Sequence, residues 1–215
     1  MAVRHREPGA ERFLPERKSL TALREAARDC QGCELYRPAT QTVFGEGPAR
    51  AKMVLVGEQP GDVEDREGHP FVGPAGKLLD KALAAASIER ERVYLTNAVK
   101  HFKFERTGKA RLHKRPSTGE MNACVPWLHA ELRQISAEVL VLLGSTAAQA
   151  LLGTAFRVTQ QRGKPIESEW ARVVIATVHP SAVLRAPDAE ARARAFEELV
   201  ADLRVAARAL HEKSK

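Results

Sequence analysis

Two short segments carry side chains that could do chemistry. Glu58 and Gln59 lie between Gly57 and Gly61. Glycines on both sides let the backbone approach a ligand closely, and a carboxylate can accept a proton or offset a positive charge. An ordinary strand-to-helix loop is the alternative. A phosphate-binding loop is excluded, because GPAGKL (73–78) lacks the GxxxxGK[ST] spacing.

The second segment is VHPS (178–181), which follows an apolar run. A histidine at such a position can donate a hydrogen bond to an anion that forms in the site. The alternative is a helix-entry loop in which His179 occurs by chance.

Cysteines form a third candidate group, which consists of Cys30, Cys33 and Cys124. An odd number of cysteines and a basic N-terminus without an apolar core argue against a secreted, disulfide-stabilised protein. The Cys-x2-Cys spacing is typical of metal ligands, and unrelated buried thiols are the alternative.

Four apolar runs, at 51–57, 93–99, 139–144 and 173–178, predict buried parallel strands. Helical patterns lie around them, at 20–29, 76–87, 118–134, 145–152 and 189–210, and Ser117 to Glu120 has capping-box spacing. The alternation predicts one α/β domain, with a four-stranded parallel sheet flanked by helices on both faces. GEQPG, Asn97 and HPS then meet at the carboxyl edge of this sheet, where ligands bind in such folds.

The composition agrees with this arrangement. A chain of 215 residues is long enough for one well-packed domain, which we place at 19–215 behind a basic, flexible tail at 1–18. The net charge of +7 suits a polyanionic partner such as nucleic acid. No apolar run approaches the length needed to span a membrane, and we expect a cytoplasmic protein.

Taken together and in order, four motifs resemble the family 4 uracil-DNA glycosylases: GEQPG (57–61), G-x-PFVG-x-AG-x-LL (68–79), TNAVK (96–100) and VHPS. The similarity covers roughly residues 20–205. It implies the uracil-DNA glycosylase fold, excision of uracil from DNA, and a [4Fe–4S] cluster. Cys30, Cys33 and Cys124 match three of the family's four ligands, and His101 stands where the fourth would be. By residue type alone, this set would suit structural zinc equally well; a histidine ligand on an iron–sulfur cluster is unusual but chemically possible.

Three features resemble one branch of that superfamily, UdgX: His101, Gln59, and a basic segment, Lys109-Ala110-Arg111-Leu112-His113. Members of this branch excise uracil and then stay attached to the DNA through the histidine. The segment departs from the branch, which commonly has two arginines before an aliphatic residue and the histidine, and it is slightly shorter. A solvated basic loop near phosphate is the alternative.

The resemblance also implies roles for individual residues. His113 would attack the sugar C1′, Glu58 would assist it, and His179 would stabilise the uracil anion. The substrate-binding residues would be Gln59, Phe71, Asn97, Arg111 and Ser181. Phosphates would contact a basic surface that includes Lys103, Arg106, Lys109, Arg111, Lys114 and Arg115. We expect a monomer that prefers single-stranded, uracil-containing DNA. A conventional turnover enzyme and a non-catalytic iron–sulfur DNA-binding protein are the alternatives.

Overall fold

The computed structural model describes residues 9–211, and a five-stranded sheet forms its centre. In chain order the strands are β1 (Met53–Gly57), β2 (Val93–Asn97), β3 (Phe104–Thr107), β4 (Ala110–His113), β5 (Val139–Leu143), β6 (Pro165–Ser168) and β7 (Ala171–Thr177). The helices are α1 (Leu20–Ala27), α2 (Asp62–Glu67), α3 (Pro74–Ala85), α4 (Thr118–Ile135), α5 (Ser145–Leu152), α6 (Val158–Gln161), α7 (Pro180–Leu184) and α8 (Ala189–His211). The order of strands in the sheet is β2-β1-β5-β7-β6.

The four strands predicted from the apolar runs are confirmed, and they pair in parallel. The prediction of a purely parallel sheet with four strands was wrong, because β6 adds an antiparallel edge strand beside β7. This strand begins with Pro165 and is only partly buried, as edge strands that contain proline usually are. Its sequence therefore lacks the continuous apolar run that marks the other four.

Helices cover both faces of the sheet, as predicted. On one face, alternate strand residues such as Leu55, Val141 and Ile175 pack against α3 and α8. On the other face, Val54, Leu142 and their neighbours pack against α4 and α5. The strands β1, β2 and β5 are buried throughout because each face of the sheet has its own core.

The predicted capping box at the start of α4 is confirmed: Ser117 Oγ accepts the Glu120 N–H at 3.2 Å. The short helices α2 and α7 were not predicted, because six and five residues are too few to display a helical period. No helix within residues 9–211 is both long enough and apolar enough to cross a membrane.

The N-terminal region packs against α4. Of the predicted tail at 1–18, residues 1–8 lie outside the described residues. Residues Ala10–Phe13 form a 3-10 turn whose Ala10 is buried beside the cysteines. The boundary at residue 19 stays a prediction.

Residues 104–113, which include the basic segment 109–113 that the sequence indicated as a loop, form an antiparallel hairpin of β3 and β4. Gly108 adopts a positive φ of 58° in the tight turn, a conformation that glycine accepts readily. The last residue of β4 is His113, so the hairpin gives this histidine a fixed direction.

Candidate active site

A cavity of about 370 Å³ opens at the carboxyl edge of the sheet. The ends of β1, β2 and β7 bring Gln59, Asn97 and His179 to it, and Phe71, His113 and Ser181 also line it. An adjoining cavity of about 620 Å³ shares several of these residues and adds Glu58 and Arg115. The residues that the sequence placed at three separate strand ends therefore surround one connected space.

Asn97 lies at the floor of the first cavity. It pairs with Gly57 across β1 and β2, and only 3% of it is exposed. A Cβ atom on Gly57 would come within 2.3 Å of Asn97 Oδ1 and 2.7 Å of Phe71 Cζ. The missing side chain at Gly57 therefore lets the amide and the aromatic ring meet. Within residues 9–211 the side-chain amide of Asn97 makes no hydrogen bond, which leaves its donors and acceptor open to a ligand.

Phe71 is held in a conformation that a bulky residue rarely adopts. Its φ is +58°, and its ring lies roughly parallel to that of His179, with centroids 6.4 Å apart. Gly76 makes this possible, because a Cβ there would lie 1.8 Å from the Phe71 carbonyl oxygen. Strained backbone of this kind collects at binding sites, where the surrounding structure enforces it.

His179 presents a hydrogen-bond donor to the cavity. Its Nδ1 accepts the backbone N–H of Ser181 at 3.1 Å, so the neutral ring carries its proton on Nε2. Burial, with a contribution from Arg185, lowers the pKa of His179 to about 4. The ring is therefore uncharged at neutral pH. Ser181 holds the ring through Nδ1 and also lines the cavity.

The low pKa of His179 should make folding stability depend on pH. In the unfolded chain the ring has its ordinary pKa of 6.5 and binds a proton below that pH. In the folded protein the ring binds this proton only near pH 4. Stability from the neutral ring is therefore complete above pH 6.5 and is lost as the pH falls, by up to about 1.4 kcal/mol per pH unit. Urea unfolding between pH 7.5 and 4.5 should show that the free energy of unfolding falls less steeply with decreasing pH for His179→Asn than for wild type. His211→Asn, at the exposed end of α8, should show the same fall as wild type. An equal fall in all three proteins would show that His179 is not the source of the pH dependence.

Glu58 and His113 face each other where the two cavities meet. Glu58 Oε1 lies 3.5 Å from His113 Nε2, and the side chains are 21% and 50% exposed respectively. The other carboxylate oxygen, Oε2, accepts the hydroxyl hydrogen of Thr146. A carboxylate beside a half-exposed imidazole can orient the ring and accept its proton.

Gln59 fixes the base of the hairpin with its side chain. Its Nε2 donates to the carbonyl oxygens of Lys103 and Lys114, and its Oε1 accepts the Lys103 N–H at 3.1 Å. These bonds tie both ends of the hairpin to the loop after β1. His113 is therefore anchored close to Glu58 through the neighbouring residue of the same loop.

Comparison with known proteins finds relatives along most of this chain. Residues 44–204 match the family model for the uracil DNA glycosylase superfamily. The chain belongs to the uracil DNA glycosylase superfamily. It is 37% identical over 176 residues to a type-4 uracil-DNA glycosylase of Thermotoga maritima, a match that covers 81% of this chain and 88% of the relative. The type-4 uracil-DNA glycosylase of Archaeoglobus fulgidus is 36% identical over 177 residues, which cover 79% and 85% of the two chains.

Arg111 does not reach the cavity of this superfamily member. Its side chain is only 8% exposed and makes ion pairs with Asp62 and with the fully buried Asp65, the latter at 2.6 Å. The guanidinium also lies over the rings of Phe102 and Phe104. The structure thus gives Arg111 a role in anchoring the hairpin, and the sequence had suggested a substrate contact instead.

The three cysteines lie together, away from the cavity, in a buried cluster with Trp127. Trp127 Nε1–H donates to Cys30 Sγ at 3.1 Å, and the Lys100 N–H donates to Cys124 Sγ at 3.2 Å. Burial raises the pKa of Cys124 to about 12, and the nearby Cys33 adds to this effect. A thiolate here would need a cation beside it, as a bound metal would provide.

His101 is buried close to this region, and its Nε2 lies 2.9 Å from Thr42 Oγ1. Burial lowers its pKa to about 4, so the ring is neutral. In the part of the chain that the structure describes, no three His, Cys, Asp or Glu side chains already form a metal cage. The donor types and the N–H groups aimed at sulfur fit a thiolate-bound metal. Because Nε2 of His101 faces Thr42, Nδ1 is the nitrogen left to serve as a ligand.

A buried ion pair connects the cysteine region to the cavity. Lys100 Nζ pairs with Glu131, which also accepts the hydroxyl of Tyr94 at 2.8 Å. The same ammonium donates to the Asn97 carbonyl oxygen at 2.8 Å. Lys100 therefore contacts Cys124 through its backbone and the end of β2 through its side chain.

Sequence reasoning missed three residues of the site. Glu64 joins the two glycine loops, since its carboxylate accepts the N–H groups of Gly61 and Gly73. Arg185 lines both cavities. Thr146 follows β5, so the rule that ligands lie at the carboxyl ends of strands could have found it. The other two have no comparable signal in the sequence.

Proposed function

We propose that this protein excises uracil from DNA and then becomes covalently attached to the abasic site through His113. The proposal of excision rests on two groups that line one cavity, the Asn97 amide and the His179 Nε2–H. They occur in a chain that is similar to type-4 uracil-DNA glycosylases. The proposal of covalent attachment to the abasic site rests on the position of His113 beside Glu58.

Recognition of the base rests on Asn97 and Phe71. The Asn97 NH2 group donates to uracil O4 and its Oδ1 accepts N3–H, whereas cytosine reverses both partners. Phe71 stacks on the base after the nucleotide has turned out of the base stack. A cavity of about 370 Å³ accommodates one pyrimidine.

Cleavage breaks the bond between uracil N1 and C1′, and the electron pair stays on the base. His179 Nε2–H donates to O2 of the departing uracil anion. Because the ring is neutral, it stabilises the oxyanion through a hydrogen bond and not through an ion pair. The carboxylate of Glu58 offsets the positive charge at C1′. Water attacks C1′ in a conventional enzyme.

Attachment replaces this water with His113. The ring nitrogen that does not face Glu58 supplies the lone pair to C1′, and the proton on the other nitrogen passes to Glu58. Once its nitrogen is bonded to C1′, the imidazole is a poor leaving group, so the new C–N bond persists. Each protein molecule therefore acts about once.

A conventional turnover enzyme is the second candidate. Two observations favour it: the relatives bear the name type-4 uracil-DNA glycosylase, and His113 is half exposed, which gives water a route to the sugar. The two candidates predict different products from the same substrate.

The test uses a labelled, single-stranded oligonucleotide with one uracil, mixed with excess protein and run on a denaturing gel. We expect a slow band that survives boiling in detergent. Alkali-cleavable DNA without this band would support the turnover enzyme. DNA that stays intact would reject both candidates. An oligonucleotide with thymine in place of uracil is the control, and it should remain unshifted.

We further propose that Cys30, Cys33, Cys124 and His101 hold a [4Fe–4S] cluster. The support is the buried group of three cysteines, the N–H donors to two of their sulfurs, and the resemblance to family 4. When bound, such a cluster would cross-link α1, α4 and the segment after β2, and it would supply no step of the excision chemistry.

Protein purified without oxygen should therefore be brown and contain about four irons per chain. His101→Ala should lose iron and absorbance, whereas His101→Cys should retain both, because cysteine supplies the usual ligand. Iron content and the visible spectrum measure this directly. One zinc per colourless chain would show that the site is a zinc site instead.

The preference for single strands, the monomeric state and the cytoplasmic location belong to the same proposal. Competition between single- and double-stranded substrates and light scattering would test the first two.

A further inference from the structure

The two carboxylate oxygens of Glu58 have different neighbours. Oε2 accepts the hydroxyl of Thr146, while Oε1 lies 3.5 Å from His113 Nε2. Thr146 is in the first turn of α5 and only 3% exposed. A helical threonine usually bonds a carbonyl of the preceding turn. At the start of α5 no such turn exists, and the hydroxyl is given to Glu58.

Thr146 also stands between Glu58 and a cation. Arg115 Nε donates to Thr146 Oγ1 at 3.1 Å and lies 3.9 Å from Glu58 Oε2. Because the hydroxyl has one hydrogen and gives it to Glu58, it must accept the hydrogen of Arg115. The order of donation is thus Arg115 to Thr146 to Glu58. The guanidinium is steadied by a second bond, from Nη2 to Gln149 Oε1 at 3.1 Å.

We infer that Thr146 is a positioning residue for Glu58: it holds Oε1 towards His113 and keeps the 3.9 Å contact with Arg115 from closing into a direct, hydrogen-bonded ion pair. This inference rests on the proposed function, because it assigns Glu58 a task in the same site. Without the hydroxyl, a small movement would bring Arg115 and Glu58 into a bidentate ion pair. Such a pair would turn the carboxylate away from His113 and C1′.

The test compares Thr146→Val, which keeps the shape and removes the hydroxyl, with Thr146→Ser, which keeps the hydroxyl. Single-turnover reactions at saturating protein give the excision rate and the fraction of excised sites that end as adduct. We expect Thr146→Val to slow excision by about 10-fold or more and to lower the adduct fraction, since a reacting group has lost its fixed orientation. Thr146→Ser should stay within about 3-fold of wild type.

A double variant tests the competition with Arg115. If the guanidinium captures Glu58 in Thr146→Val, then Thr146→Val with Arg115→Gln should react faster than Thr146→Val alone. Arg115→Gln by itself corrects for any lost phosphate contact, and the four proteins form a double-mutant cycle. Thermal unfolding of each protein shows whether it is folded at the assay temperature.

Wild-type rates in a folded Thr146→Val would overturn the inference. Equal losses in the serine and valine variants would do the same, because the defect would then come from packing. A double variant no faster than Thr146→Val would refute the separation from Arg115. Failure of the proposed function looks different, since wild type itself would then release no uracil. If wild type excises uracil without forming an adduct, the excision rates alone decide the role of Thr146.

Discussion

His113→Ser should abolish the covalent adduct while uracil release continues. Serine removes the imidazole lone pair and opens the half-exposed side of the cavity, so water can reach C1′ in its place. Glu58 and His179 keep their positions, because Thr146 and Ser181 hold them independently of His113. The expected product is an abasic site that alkali cleaves, and the variant should turn over repeatedly.

Two measurements check this expectation. The denaturing gel should lose the slow band completely, and peptide mapping of the wild-type adduct should place a deoxyribose-linked mass on the peptide that contains His113. His211→Ser is a matched control, which should form the adduct as wild type does. An adduct whose His113 is unmodified would move the nucleophile to another residue. Wild-type protein that yields only abasic DNA would make the hairpin a phosphate-binding element of a turnover enzyme.

The hairpin that carries His113 shows where sequence reasoning stops. The strands β3 and β4 have only four residues each and are largely exposed, so no buried apolar run marks them as strands. Their stability comes from distant partners: Gln59 at the base, and Asp62 and Asp65 around Arg111. None of these contacts has a local signature, which is why the segment was read as a loop and Arg111 as a surface residue.

Several residues around the cavity, in contrast, could be predicted from the sequence. The carboxyl ends of parallel strands lie at one edge of the sheet. The positions of Glu58, Asn97 and His179 at or just past the ends of the strands were therefore enough to bring them together. The sequence could not reveal which way the Gln59 side chain points, and in the structure it bonds the hairpin. The buried strands and their carboxyl edge follow from hydrophobic burial, whereas the direction of the Gln59 side chain depends on hydrogen bonds to residues more than forty positions away.

Asn97→Ala should slow uracil excision by about 10³-fold or more, because the donor and acceptor edges of uracil would be buried without partners. The fold should survive, since the side-chain amide makes no hydrogen bond within residues 9–211 and Lys100 bonds only the backbone carbonyl of Asn97. Asn97→Asp offers a variant of the same size. It should also be slow, because a carboxylate cannot donate to O4 and repels it.

A change in the substrate separates base reading from general damage to the site. Methylation of uracil N3 removes the hydrogen that Asn97 Oδ1 accepts, and it should slow the wild-type enzyme by about 100-fold or more. In Asn97→Ala the same methyl group should slow excision only a few-fold, because the Oδ1 acceptor is absent and the shortened side chain leaves room for the methyl group. Single-turnover rates for the two proteins and the two substrates give this coupling. Equal penalties for methylation in both proteins would show that another group reads N3, and near-normal excision by Asn97→Ala would remove Asn97 from base recognition.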